Sequence, residues 1–236
     1  MDERAPVVTL TEIPLWIDLG KLGREVRVDE ASPFGPDLER LSQDAEARAK
    51  PKGIYRLSAV EHVNSECVRI DDVAFTSRVL AVNLEGADRV FPFIATCGRE
   101  LDEWAKALDD VMQRFWADAI MEMALGVAIE ALGKHVVEAY RPGKRAMMNP
   151  GSLTDWPICE QAPFFTLFGD AADAIGVTLT ESCLMSPIKS ISGLWFETEK
   201  DFQSCQLCPR ARCPHRRAPY NPHLFDERYG QSEPRG

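Results

Sequence analysis

Apolar and polar positions divide the chain into segments of different period. Residues 6–17, PVVTLTEIPLWI, are rich in β-branched and apolar side chains and predict an extended strand, with Pro14 marking an edge position or a break. Pro33, Gly35 and Pro36 punctuate a loop. Asp37 is then placed to cap a helix that carries Leu38 and Leu41 and ends before Pro51. Residues 53–63, GIYRLSAVEHV, read as another strand leading into a variable stretch. Residues 75–84 predict a short helix with Val79, Val82 and Leu84 turned inward. Residues 88–96 form a continuous apolar run closed by Cys97-Gly98, the pattern of a buried central strand followed by a tight turn.

Residues 99–140 carry the clearest helical period. Leu101, Trp104, Leu108, Val111, Met112 and Phe115 recur at helical spacing, and Asp109-Asp110 marks a break between two helices. Beyond it, Ile120, Met123, Ala124, Val127, Ala128, Ala131 and Leu132 make the second helix apolar on most faces, as a core helix must be. Trp104, Phe115, Trp116, Met121 and Met123 are assigned to the core. The RPGK sequence ends the run. Residues 147–161 read as a loop around Asn149-Pro150-Gly151, and a short helix follows near 164–175. The segments VTLTESCLMSP and KSISGLWFE alternate in strand fashion and are expected to pair with each other as antiparallel strands. From about residue 201 the chain is polar, with many Pro and Arg, and has too little apolar content for a core of its own. The division is therefore a body, 1–200, and a Cys/Arg-rich tail, 201–236.

The formal net charge of -10 argues against a nucleic-acid partner, because the chain as a whole repels a phosphate backbone. No apolar run is long enough for a transmembrane helix, and the acidic N-terminus lacks the cationic and apolar regions of a secretory signal. The expectation is a cytoplasmic protein with reduced thiols and no membrane partner. The seven cysteines, an odd number and unevenly spread, then do not read as a disulfide framework.

Three of them, Cys205, Cys208 and Cys213, are spaced C-x2-C-x4-C. A two-residue gap turns two sulfurs toward one metal, and thiolates are strong ligands for soft or borderline metals. Pro209 and Pro214 each follow a cysteine and stiffen the loop. A fourth ligand is open among His215, Cys159, Cys183, Cys97 and Cys67. With Cys159 or Cys183 the set fits a four-thiolate iron–sulfur cluster, the favoured reading and most simply 4Fe-4S. With His215 it fits a Cys3His zinc site. Arginines 210, 212, 216 and 217 offset the negative charge of either site and are suited to an acidic partner. The alternative without metal is a basic tail with free thiols. His62, His135 and His223 have no companions at ligand spacing.

Residues 176–196, GVTLTESCLMSPIKSISGLWF, resemble the S-adenosylmethionine-binding activation domain of cobalamin-dependent methionine synthase. The matching positions are Gly176, Leu179, Thr180, Glu181, Ser182, Met185, Pro187, Ser190, Ser192 and Gly193. Upstream, NPGSLTDWPICEQAPFFTLF resembles the family's Pro-Gly loop and helix, and FIATCGRELDEWA is similar to the strand, turn and helix of stand-alone members. The resemblance covers about residues 75–196. It implies an α+β fold: a twisted, mainly antiparallel sheet with long helices, here with the metal-binding tail added. It also implies S-adenosylmethionine or cobalamin as ligand, a corrinoid protein or methyltransferase as partner, and an external electron donor protein. Asn149, Gly151, Glu181 and Ser182 become ligand-site residues, and Arg145 reaches the ligand carboxylate if the loop shifts. The family's loop Arg position holds Met147, its Tyr after the Gly is Ser152, and the Tyr near the second motif is Trp195.

Three functions follow. The first is an accessory protein that activates a corrinoid methyltransferase system reductively, through an iron–sulfur cluster. The second is an S-adenosylmethionine-binding methyltransferase or cobalamin-remethylation domain. The third is a zinc-stapled adaptor without catalysis.

Overall fold

The computed structural model describes residues 5–29, 31–213 and 216–230. In chain order its elements are β1 (Val8–Leu10), α1 (Leu19–Val26), α2 (Gly35–Arg48), β2 (Lys52–Tyr55), β3 (Ser58–Asn64), β4 (Cys67–Ile70), β5 (Val73–Thr76) and α3 (Arg78–Asn83). Then come β6 (Arg89–Thr96), α4 (Arg99–Lys106), α5 (Val111–Tyr140), β7 (Arg145–Met148), α6 (Gln161–Thr166), α7 (Ala171–Ala174), β8 (Thr178–Leu179), β9 (Met185–Ser186), β10 (Ser190–Glu197) and α8 (Leu224–Tyr229).

The apolar run at 89–96 forms the central strand, as its pattern predicts. Along β6, Val90 and Ile94 enter one hydrophobic cluster while Phe91, Phe93 and Ala95 enter another, because successive side chains leave opposite faces of a strand. Both edges of β6 are paired, and every pairing of the main sheet is antiparallel. β10 runs along one edge over its whole length, with β7 outside it. β2 and β3 share the other edge: β2 pairs with residues 93–96, and β3 with residues 89 and 90. β1 lies outside β2, and β4 and β5 continue from β3. The break between β2 and β3 at Arg56-Leu57 splits the single strand expected over 53–63. Its cause lies opposite: Arg56 N–H donates to the Pro92 carbonyl (3.1 Å), and Pro92 has no N–H to return.

Helix α5, about 45 Å long at 1.5 Å per residue, begins after Asp110, whose carboxylate accepts from Gln113 N–H (2.8 Å). Its first half packs with α1, α2 and α4 around Leu22, Leu41, Leu101 and Ile120. Its second half lays Leu125, Ala128, Leu132 and Val136 on Tyr55, Phe91 and Phe93 of the sheet. Two sets of neighbours on different sides explain why the helix is apolar nearly all round. Val111, Met112 and Phe115 are nonetheless exposed at 78%, 47% and 55%. Assigning Phe115 to the core was wrong: it leaves the opening turns of α5 on the exposed side, and the buried positions there begin at Trp116 and Ala117.

Three further expectations are corrected. The N-terminal strand is confined to Val8–Leu10 rather than 6–17. Met147 and Met148, expected in the loop 147–161, belong to the edge strand β7. The two segments at 177–197 do not pair with each other as expected. The first folds on itself as the β8–β9 hairpin, and the second becomes β10. Its apolar Leu194, Trp195 and Phe196 are buried on both faces, which suits an inner strand and not half of a hairpin.

The tail borrows the body's core. Phe202 is buried beside Phe196 at 6.3 Å, and Leu207, Cys208 and Leu224 pack on the same cluster. Tyr229 is fully buried, and its hydroxyl donates to Asn83 Oδ1 (3.0 Å), which also accepts from Arg228 (2.9 Å). Arg78 at the start of α3 donates to the carbonyls of Tyr229 and Gly230. Tyr229→Ala is expected to cost about 3–5 kcal/mol in equilibrium unfolding, as for other buried aromatics. Tyr229→Phe should cost only about 1 kcal/mol for the lost hydroxyl bond.

Candidate functional site

The segment with the family resemblance lies at the start of β10. After β7 the chain turns at Asn149-Pro150-Gly151. Gly151 has φ 83°, a left-handed backbone that favours glycine, and its N–H donates to the Trp156 carbonyl (2.8 Å). Asn149 Nδ2 donates to the Ser192 carbonyl (2.7 Å). A Cβ on Gly193 would sit 2.3 Å from Asn149 Nδ2, so this glycine is what lets the loop lie against β10. Ser192 Oγ donates to Gln161 Oε1 (2.9 Å), and Gln161 Nε2 donates to the Cys183 carbonyl (3.1 Å). Ser192 and Gln161 are each 2% exposed. A buried relay thus joins the Asn149 loop, the head of α6 and the β8–β9 hairpin.

The hairpin turn is tied by its own groups. Thr180 N–H donates to the Leu184 carbonyl (2.8 Å), Cys183 N–H to the Thr180 carbonyl (2.9 Å), and Leu184 N–H to Thr180 Oγ1 (3.1 Å). Cys183 adopts φ 60°. Glu181 and Ser182 form the exposed tip, and the adjoining Cys183 is linked to Asn149 through Gln161 and Ser192. Ile158, Leu184 and Ile188 flank these loops and are exposed at 38%, 56% and 74%. Behind them Lys189 Nζ holds Asp118 (3.0 Å) and Glu122 (3.2 Å) of α5. Burial works against its charge, but these carboxylates raise the Lys189 pKa.

Arg145 is not brought to this site. Its guanidinium lies over the Trp195 ring at 5.9 Å and reaches toward the Gly133 carbonyl of α5, on the α5 side of the sheet. Burial lowers its pKa. Gln161 and Asp155 were missed by sequence reasoning. Asp155 accepts from Ser77 Oγ and from Val79 N–H (2.9 Å), pinning the loop to the head of α3. A lone amide heading an apolar helix is the one signal that pointed to Gln161. A cavity of about 770 Å³ lies between α1 and α2 and takes in none of the sequence-predicted site residues.

In the tail, Cys208 N–H donates to the Cys205 carbonyl (3.3 Å), forming the tight turn that the C-x2-C spacing predicts. Arg217 N–H donates to Cys205 Sγ (3.4 Å). Arg216 threads the loop. Its guanidinium donates to the carbonyls of Cys205 (3.0 Å), Cys208 (3.3 Å), Ala218 (3.2 Å) and Arg210, and its N–H donates to the Cys213 carbonyl (3.3 Å). Cys205, Cys208 and Cys213 are half-buried, and Arg210, Arg212 and Arg217 are exposed. Among the described residues no three His, Cys, Asp or Glu side chains are gathered to hold a metal. His215 lies outside the described residues.

The other fourth-ligand candidates have the following surroundings. Cys97 is fully buried, and burial with nearby Asp102 pushes its thiol up to about 12, so it stays protonated and packs. Cys67 opens β4 opposite Thr76. Cys159 and Cys183 lie beside each other, with Cys183 Sγ 4.0 Å from the Cys159 carbonyl. His62 donates to the Leu84 carbonyl (2.7 Å), and His135 Nδ1 lies 2.6 Å from the Tyr55 hydroxyl.

The architecture is α+β, an antiparallel sheet backed by a long helix, with a polar relay at one end. No family model matches the chain, and no curated protein matches it. Among solved structures it is similar to "Crystal Structure of the MetH Reactivation Domain bound to AdoHcy", with a TM-score of 0.62 and 18% identity over 86% of this chain and 82% of that one. The likeness establishes the fold that residues 176–196 led us to expect. Among the described residues no helix is long and apolar enough to cross a membrane.

Replacing Gln161 by Ala leaves Ser192 Oγ and the Cys183 carbonyl without partners. The expected cost is about 1–3 kcal/mol, with faster amide hydrogen exchange at residues 180–184 and little change in α5.

Proposed function

We propose that this chain is an accessory protein in the reductive activation of a corrinoid methyltransferase system. The observation that carries the reading is a coincidence of two independent likenesses. The fold is similar to a MetH reactivation domain bound to AdoHcy. The segment that resembles such domains in sequence supplies Ser192, Gly193 and Cys183 to the relay that ties three loops together.

On this reading the end of the sheet bearing Asn149, Gly151, Glu181 and Ser182 takes S-adenosylmethionine, and the exposed Ile158, Leu184 and Ile188 face the corrinoid partner. Asn149 and Gln161 spend their amides on main-chain carbonyls, so their role is to hold the loops and not to touch the ligand. Arg145, stacked on Trp195, takes no part in binding the ligand carboxylate.

The tail adds the redox function. Cys205, Cys208 and Cys213 are the ligands proposed for an iron–sulfur cluster, which when bound supplies one-electron transfer. The chain's own contribution is a loop folded on Arg216, an Arg217 N–H directed at Cys205 Sγ, and arginine charge to offset a set of bound thiolates. An electron donor protein and a corrinoid protein are the partners.

Protein purified without oxygen is expected to show broad visible charge-transfer absorption, bleached by dithionite and lost in Cys208→Ser. A colourless protein holding one equivalent of zinc would instead identify a zinc-stapled adaptor. Calorimetric titration with S-adenosylmethionine should give saturable heat. Silence at millimolar ligand would remove the methyl donor from the proposal and leave the cysteine loop to be judged on its own.

A further inference from the structure

The geometry points to Cys159 and Cys183 as a dithiol pair that is oxidised to a disulfide and thereby clamps the loops of the candidate ligand site. Cys159 sits in a one-turn 3-10 segment, Ile158–Glu160, and is exposed. Cys183 lies at the hairpin turn, half-buried, with φ 60°. Its sulfur is 4.0 Å from the Cys159 carbonyl oxygen. A second, independent tie holds the same two segments together: Gln161, two residues after Cys159, donates its amide N–H to the Cys183 carbonyl. The two turns meet through a side chain and a main chain before any covalent bond forms.

The pair differs from the chain's other cysteines in what surrounds it. Cys97 is sealed in the core, and Cys205, Cys208 and Cys213 belong to the loop folded on Arg216. Cys159 and Cys183 face solvent at the rim of the loops, where a small oxidant reaches them. The chemistry is thiol–disulfide exchange with a low-molecular-weight disulfide such as glutathione disulfide. The Cys159 thiolate attacks one sulfur of that disulfide and expels one thiol, leaving a mixed disulfide on Cys159. The Cys183 thiolate then attacks the Cys159 sulfur and expels the second thiol. The chain loses two electrons and two protons, and the small disulfide leaves as two thiols.

The clamp joins the 158–160 turn to the hairpin. Gly151 already abuts that turn, since a Cβ there would meet Ile158 at 2.6 Å. Asn149, Gln161 and the hairpin then move as one body. The consequence for ligand rests on the proposed function: an activating protein for a reduced corrinoid is closed when the thiol pool turns oxidising.

The test uses the full chain, incubated folded with glutathione disulfide. Cleavage after Glu160 and Glu181 separates the two cysteines, so the peptides containing them stay together only if linked. We expect that linked pair to be released by dithiothreitol and absent in Cys159→Ser and Cys183→Ser. Amide exchange at 149–152 and 180–184 should slow severalfold in the oxidised wild type, and not in either variant. Separate glutathione adducts on the two residues, or links from either to Cys205, Cys208 or Cys213, would overturn the pairing. A linked protein with unchanged exchange would overturn the clamp. Neither readout requires S-adenosylmethionine or a cluster, so failure of the proposed function leaves this result standing, and the reverse holds as well.

Discussion

A strand that is apolar on both faces and hydrogen-bonded along both edges can occupy only the middle of a structure, and β6 is that strand. Phe91, Phe93 and Ala95 require a cover on one side, and α5 supplies it. Val90 and Ile94 require a cover on the other, where α3, α6, α7 and the tail meet. The edge shared by β2 and β3 hinges at Pro92, and the opposite edge belongs wholly to β10. The placement of β10 follows from this, and with it the position of Ser192 and Gly193. The loops of the candidate site are thus set by the sheet and trimmed by side-chain hydrogen bonds.

Those trims consist of small neutral groups. Asn149, Ser192 and Gln161 bond one another's carbonyls and hydroxyls with little exposure, and such buried polar sets hold shape only while all members are satisfied. Charge is kept to the outside, where Lys189 pairs with Asp118 and Glu122. The tail follows a different plan. One guanidinium at Arg216 gathers carbonyls that would otherwise point in several directions. A loop of low apolar content acquires a defined course through an ion rather than through a core.

Much of this was legible in the chain. β6 and α5 were found because burial on two sides leaves long apolar runs, and the break before α5 was found at Asp109-Asp110; Asp37, expected as a cap, lies instead in the first turn of α2, which begins at Gly35 because Pro36 fits a helix start. The edge strand β7 was missed because four residues beside Pro150 carry no periodic signal. The pairing of β8 with β9 was missed because a reversal at Thr180–Cys183 needs a left-handed cysteine, which no local pattern announces. At the site, Asn149, Gly151, Glu181 and Ser182 were named from resemblance, while Gln161 came to light only from the fold. Arg145 was named from resemblance as well, and the fold sets it on β7 opposite Glu197 and over the Trp195 ring. Cys159 and Cys183 were weighed as separate ligands, and their adjacency is a tertiary fact.

The tail's two aromatic anchors have a consequence for how the chain can vary. Phe202 and Tyr229 are sunk in the body, Leu207, Cys208 and Leu224 touch the same core, and the exposed residues 209–212 lie on an excursion between these contacts. The entropy of closing such a span grows only logarithmically, by about 0.6 kcal/mol for each doubling of length. Insertions among the exposed residues 209–212 therefore leave the rest of the molecule almost unaware of the change. The segment with the most reactive chemistry is also the one that descent can edit most freely.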